Sequence, residues 1–225
     1  WSFENKKHLS GASEGGLIAT NNKYLAERIR KFAGIGYKNM TAKGGRTSLA
    51  IETVQNPNYK RFDTIGLNYR MPKIVAAVCL AQLKRFKKII SRRVQVAKIF
   101  REAINDCDWL IEQRIPRGFK HTHYTFSLRY LGESQFGIKW KSFYSKYKKM
   151  GGDGFYGACV CPHQEPSIKN YFKKKSWKIN SLPVAEKIQK EIMQFKTNYR
   201  NLEDAKKKAL ILKKLVKLTN NEKKK

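Results

Sequence analysis

Acidic residues are scarce in this chain. Of 225 residues only 17 are Asp or Glu, against 48 Lys or Arg, for a formal net charge of +31. Such an imbalance rules out an acidic or cation-storing protein and raises the question of a polyanion partner. Long hydrophobic runs are lacking too, so no segment is expected to cross a membrane as a helix. No basic stretch followed by an apolar one opens the chain, so no secretion signal is read. The first residue is Trp1, not Met, and the chain is read as a fragment that starts inside a domain. Cysteines number only four (Cys79, Cys107, Cys159 and Cys161), too few for a disulfide framework. Free thiols fit a reducing, cytoplasmic setting. Cys159 and Cys161 lie near His163, but structural zinc usually needs a second ligand pair, so no metal is expected.

What is present points to a folded domain. Hydrophobic residues make up 41% of the chain, enough to bury a core. The lysines are spread over many segments and short runs, such as Lys173-Lys174-Lys175 and Lys206-Lys207-Lys208. A dedicated nucleic-acid site more often clusters Arg with exposed aromatics. A general preference for lysine therefore explains the charge better than a nucleic-acid partner does.

Read in order, Ser2-Phe3 ends a strand and Leu17–Thr20 forms a short one. Asn21-Asn22 caps a helix carrying Leu25, Ile29 and Phe32, which Gly34 ends. Residues 36–66 form a long loop. Pro72 opens a helical stretch reaching about Asn105, with Ile74, Val78, Ala81, Leu83, Phe86, Ile90, Ala97, Phe100 and Ile104 as its apolar face. Tyr124–Tyr130 alternates as a strand. Trp140–Met150 is a helix, Phe155–Cys161 a second strand candidate, Pro183–Met193 a helix, and Asn201 caps the last helix. No internal repeat is seen. The domains expected are 1–71, a connecting helical region 72–106, a small α+β unit 107–219 and a disordered basic tail 220–225.

The chemistry sits at the start. Ser2-Phe3-Glu4-Asn5-Lys6-Lys7-His8-Leu9 leads to Glu14-Gly15-Gly16, so a lysine lies between a strand end and a glycine turn. Ligands of open α/β folds bind at such strand ends. Four motifs follow one another in order: this lysine run; Gly66-Leu67-Asn68-Tyr69-Arg70-Met71 with Leu80-Ala81-Gln82-Leu83 after it; Cys161-Pro162-His163-Gln164-Glu165-Pro166; and Leu182-Pro183-Val184-Ala185-Glu186. Together they resemble the DegT/DnrJ/EryC1/StrS aminotransferases.

That resemblance implies an α/β fold of fold-type I, aspartate aminotransferase-like. The chain would hold the end of the large domain plus the small C-terminal α+β domain. It implies pyridoxal 5'-phosphate as cofactor, with Lys7 bonding covalently to its aldehyde and Lys6 as the neighbouring competitor. It implies Ser2 as a donor to the cofactor phosphate, and Asn68 reaching the phosphate in the neighbouring subunit of a homodimer. His8, Arg70 and His163 become candidates for substrate binding. A keto-sugar nucleotide and an amino-acid donor, glutamate, are the implied substrates. Without the family's N-terminal half, the chain alone is expected to be inactive. The sequence departs from the family at Ala12-Ser13, where Thr-Gly is usual, and in a longer loop over Tyr37–Asp63. Two alternatives stay open: a sugar dehydratase of the same fold, in which His replaces the lysine, and a basic binding protein without catalysis.

Overall fold

A computed structural model of the chain describes residues 1–45 and 49–222. It contains two compact units, Trp1–Phe86 and Lys87–Lys225.

In the first unit, helix α1 (Lys23–Ala33) begins where Asn22 Oδ1 accepts from the Leu25 N–H at 3.1 Å. This supplies one of the acceptors that the first turn lacks. The chain leaves α1 through Gly34 and the left-handed residues Ile35 and Gly36. Gly36, at φ +86°, lies against Thr64 and Gly66 so closely that a Cβ would sit 1.9 Å from the Thr64 carbonyl oxygen. This close approach forms the neck of the 36–66 loop, which is an irregular segment holding one short helix, α2 (Ile51–Val54). Arg46–Ser48 of that loop lie outside the described residues. Above the neck, Tyr37 pairs with Phe62, their rings 4.9 Å apart. Lys31 binds Asp63 at 2.6 Å and Glu27 at 3.0 Å.

The stretch 17–20, expected as a strand, is irregular. Trp1 and Leu17 exchange backbone hydrogen bonds of 2.5 and 2.8 Å, and Ser2 bridges Gly16. The pairing continues toward Phe3 and Gly15 and not along Ile18–Thr20 among the described residues, so no ladder forms over 17–20.

The helical region expected as continuous over 72–106 is two helices, α3 (Lys73–Leu83) and α4 (Phe86–Ala103). The Arg85 N–H bonds back three residues to Gln82, a tightened turn that closes α3. No Gly or Pro marks this break, so periodicity runs through it. The boundary between the two units falls here as well.

The second unit is built on an antiparallel sheet of order β1 (Leu110–Glu112), β2 (Thr125–Tyr130), β3 (Ile192–Lys196). Register places Phe126 opposite Phe195 and Leu128 opposite Met193, and all four are buried. One face of the sheet is therefore apolar, as alternation requires. Against it lie Phe100 of α4, Phe143 and Tyr147 of α6 (Trp140–Lys149), Phe155, and Leu212 and Leu215 of α9 (Leu202–Glu222). Buried polar tips find partners. Trp109 Nε1 donates to Asn220 Oδ1 at 2.7 Å, and the Tyr147 hydroxyl donates to the Lys208 carbonyl at 3.1 Å.

Shorter helices complete this unit: α5 (Gly132–Phe136), α7 (Pro166–Lys174) and α8 (Pro183–Glu191). Three expectations change. The helix expected over Pro183–Met193 ends at Glu191, and the chain becomes β3 without a turn. The strand candidate Phe155–Cys161 is reduced to one bridge, Tyr156 with Gln194, in bonds of 3.0 and 2.8 Å. The tail expected to be disordered from 220 is helical through Glu222, because Thr219 is buried and Asn220 accepts from Trp109. Lys223–Lys225 lie outside the described residues.

Candidate active site

Residues 2–16 make a closed loop with the lysines at its outer end. Phe3 fixes the base twice: its N–H donates to the Gly15 carbonyl at 2.8 Å, and its carbonyl accepts from Gly11 N–H at 2.9 Å. Glu4 then turns the chain. Its carbonyl accepts the Lys7 N–H at 2.9 Å, and its Oε2 accepts the Lys6 N–H at 3.1 Å. Lys6 and Lys7 are consecutive, exposed positions of this turn, and His8 beside them is half-buried.

Ser2 stands at the other side of the same turn. Its Oγ accepts from the Glu4 N–H at 3.3 Å. That bond uses an oxygen lone pair and leaves the hydroxyl proton to donate to an anionic oxygen. A primary amine and a hydroxyl donor thus share one turn, five positions apart in sequence.

The return limb is seated on α3. Ser10 is buried, and its N–H donates to Gln82 Oε1 at 3.2 Å. Its Oγ accepts from Ala12 N–H at 3.0 Å, where Ala12 takes the left-handed φ of +61°. Gly11 has no room for a side chain: a Cβ would stand 2.5 Å from Val75 Cγ1 and 3.2 Å from Cys79 Sγ. Glu14 is exposed, and among the described residues no bond from its side chain to this loop is found. Bracing falls to Glu4, Ser10 and Gln82, none of which stands out in the sequence as a brace. The Ser10–Gln82 contact joins residues 72 positions apart, and no local pattern announces it.

Asn68 and Arg70 form a second cluster in this unit. Asn68 bridges Gly34 at the end of α1, while the Leu67 and Tyr69 N–H groups donate to Phe32 and Ala33 at 2.6 and 2.9 Å. Arg70 Nε donates to Asn68 Oδ1 at 2.8 Å. Asn68 is exposed, and with its amide oxygen engaged its NH2 group is the part able to donate to an anion.

His163 belongs to the second unit, in a 3-10 turn at Pro162–Gln164. Its Nε2 lies 2.9 Å from Glu186 Oε1, which also accepts the Leu182 N–H at the start of α8. The Leu182 N–H, then His163, hold the Glu186 carboxyl below the usual range. Here His163 anchors a helix start. The structure therefore gathers Ser2, Lys7 and His8 in one turn and Asn68 with Arg70 in another cluster, and places His163 in the other unit.

Comparison with known proteins gives the family and the fold. The model of the DegT/DnrJ/EryC1/StrS aminotransferase family matches residues 1–212. GDP-perosamine synthase of Escherichia coli O157:H7 is 36% identical over 105 residues, 46% of this chain and 23% of that protein. The aminotransferase from Psychrobacter cryohalolentis superposes with a TM-score of 0.75 at 19% identity, covering 98% of this chain and 55% of its own. An E. coli GDP-4-keto-6-deoxy-D-mannose-3-dehydratase, solved with bound hydrated PLP, gives 0.73 at 17% identity, with 96% of this chain and 53% of its own covered. The chain spans about half the length of these solved relatives, and their likeness establishes the fold as fold-type I. It belongs to the DegT/DnrJ/EryC1/StrS aminotransferase family.

Proposed function

We propose that this chain carries the lysine arm of a sugar aminotransferase that uses pyridoxal 5'-phosphate to move an amino group from an amino acid to a keto-sugar nucleotide. The observation that supports it is the Ser2–Lys7 turn: an exposed amine and a hydroxyl with its proton to spare, held on one braced loop. These residues fit two ends of the cofactor, Lys7 its aldehyde and Ser2 its phosphate. Asn68, exposed and with an NH2 group to donate, fits a phosphate as well, that of a neighbouring subunit.

Pyridoxal phosphate, when bound, supplies an aldehyde that accepts the amino group and a ring that takes up the electron pair. The chain's own residues do the rest. Lys7 in its neutral form is the nucleophile that holds the cofactor between turnovers. Once displaced by the amino donor, for which we take glutamate, its Nζ would take the proton from the donor α-carbon and pass it to the carbon that carried the aldehyde. In the second half it returns a proton to the sugar carbon that has received nitrogen. In this reading Ser2 orients the phosphate end, and the Arg70 guanidinium and His8 bind substrate anions. His163, whose Nε2 is held by Glu186, is kept as a substrate-binding candidate at the edge of the small domain through its other ring nitrogen. Retention of Lys7 favours transamination over the dehydratase reading, in which a histidine takes that place.

A homodimer with shared sites is part of the proposal, and α3 supports it. From Ile74 to Ala81 this helix carries only apolar residues, yet Ile74, Leu80 and Leu83 are exposed. A helix apolar all round is a buried helix, and a second subunit would cover it.

The test is reductive trapping in the full-length protein. With pyridoxal phosphate and borohydride, mass spectrometry should find the reduced cofactor on Lys7 and none on Lys6. Lys7→Ala should abolish the label and lower turnover at least about a thousandfold, within the range general acid–base catalysis supplies. A label on Lys6, or full turnover in Lys7→Ala, would refute the assignment.

A further inference from the structure

We propose that Gln82 is a positioning residue for the cofactor-bonding lysine, acting on Lys7 through the backbone of Ser10. The inference rests on the function just proposed, and its observations are independent of it.

Lys7 hangs between two fixed points. On one side Phe3 is bonded to both Gly15 and Gly11. On the other, Ser10 is only three residues away, and its N–H is held by Gln82 Oε1. The seat is a single stripe of α3, since Val75, Cys79 and Gln82 follow at i, i+4 and i+7 and face the same way. Val75 and Cys79 take the bare Cα of Gly11. Gln82 adds the directional contact, an acceptor for a buried donor. Ser10 Oγ is directed to Ala12, whose left-handed backbone closes the turn, and makes no bond to the Ser10 N–H. Apolar contact alone would let the loop slide along the stripe, whereas one hydrogen bond fixes its register.

A reacting amine gains its advantage from being held in place, and small displacements forfeit much of it. Loss of the Gln82 acceptor frees the limb from Ser10 to Ala12, and with it the distance over which Lys7 reaches. Gln82 touches no reacting atom in this reading. Its effect on cofactor binding is transmitted through Ser10.

Three variants of the full-length protein separate positioning from general stability. Gln82→Leu keeps the volume and removes the acceptor. Gln82→Glu keeps a carboxylate oxygen able to accept from Ser10 N–H. Ala77→Gly weakens α3 on the side away from the seat. In cofactor-free protein, amide exchange of the peptide holding Ser10–Ala12 should quicken about tenfold in Gln82→Leu and stay near wild type in Gln82→Glu and Ala77→Gly, as a freed buried amide requires. The dissociation constant for pyridoxal phosphate, read by absorbance titration, should rise about tenfold in Gln82→Leu and return to within about twofold of wild type in Gln82→Glu. Unchanged exchange or affinity in Gln82→Leu overturns the proposal, as does an Ala77→Gly variant that loses as much affinity. Wild-type protein that takes no borohydride label on Lys7 removes the function itself. A labelled wild type with an indifferent Gln82→Leu removes only the positioning role.

Discussion

At the scale of single residues, the second unit carries a buried histidine that ties its stability to pH. His123 is 5% exposed, lies 4.2 Å ring to ring from His121, and takes a left-handed φ of +48°. Burial first, then the charges of His121 and Arg101, push its imidazole down to about 4 from the ordinary 6.5. The folded state thus favours neutral His123, while the unfolded chain binds a proton below about 6.5. Stability is complete above that pH and is lost as pH falls toward about 4, by on the order of a few kcal/mol at most. His123→Asn tolerates the left-handed backbone and does not titrate. Urea unfolding at pH 7, 5.5 and 4 should show a smaller acid loss in this variant than in wild type. Parallel losses would place the source elsewhere.

At the scale of elements, the chain from Pro183 to Lys196 shows where periodicity misleads. Val184, Ile188 and Ile192 recur at helical spacing, and the helix runs only to Glu191. Beyond it Met193 and Phe195 are both buried while their neighbours are not. Two residues apart, they would lie on different sides of a helix and lie on one side of a strand. Met193→Ala and Phe195→Ala should each cost about 2–5 kcal/mol of unfolding free energy. Val184→Ala, on the exposed face of α8, should stay within about 0.5 kcal/mol. A small effect at Phe195, which packs on Phe155 at 4.8 Å and Phe100 at 5.4 Å, would contradict the strand register. The same contrast explains what could be read beforehand. Asn22 and Asn201 announce their helices because a cap is local chemistry. The β2 strand shows itself because alternation is local too. The phase of α3 does not: its apolar residues lie all round, and the stripe expected through Ile74 and Leu83 is exposed while Val75 and Cys79 are buried. In the site, the Ser2–Lys7 run is legible as a motif. Its brace is not, because Gln82 meets Ser10 only once the chain has folded back through 72 positions.

At the scale of the whole molecule, a charge of +31 must act on association whatever the catalytic role. Lysines lie exposed on separate elements: Lys207, Lys214 and Lys217 on α9, Lys169, Lys173 and Lys174 on α7, Lys148 and Lys149 on α6. A surface of this kind binds polyanions by releasing their counterions, with no one place that matters most. The protein should therefore bind single-stranded RNA or heparin weakly, with an affinity that falls linearly as log salt rises. Reversing two charges on α9, Lys207→Glu with Lys214→Glu, should weaken that binding by the same factor, within about twofold, as Lys169→Glu with Lys173→Glu on α7, since each pair removes the same number of phosphate contacts. Filter binding at several salt concentrations measures both the affinity and the slope. A dedicated nucleic-acid site predicts the opposite, with one pair costing tenfold or more beyond the other and base identity changing the affinity. Equal losses assign the charge to solubility and encounter, and leave the specific chemistry of the molecule to the lysine turn at its start.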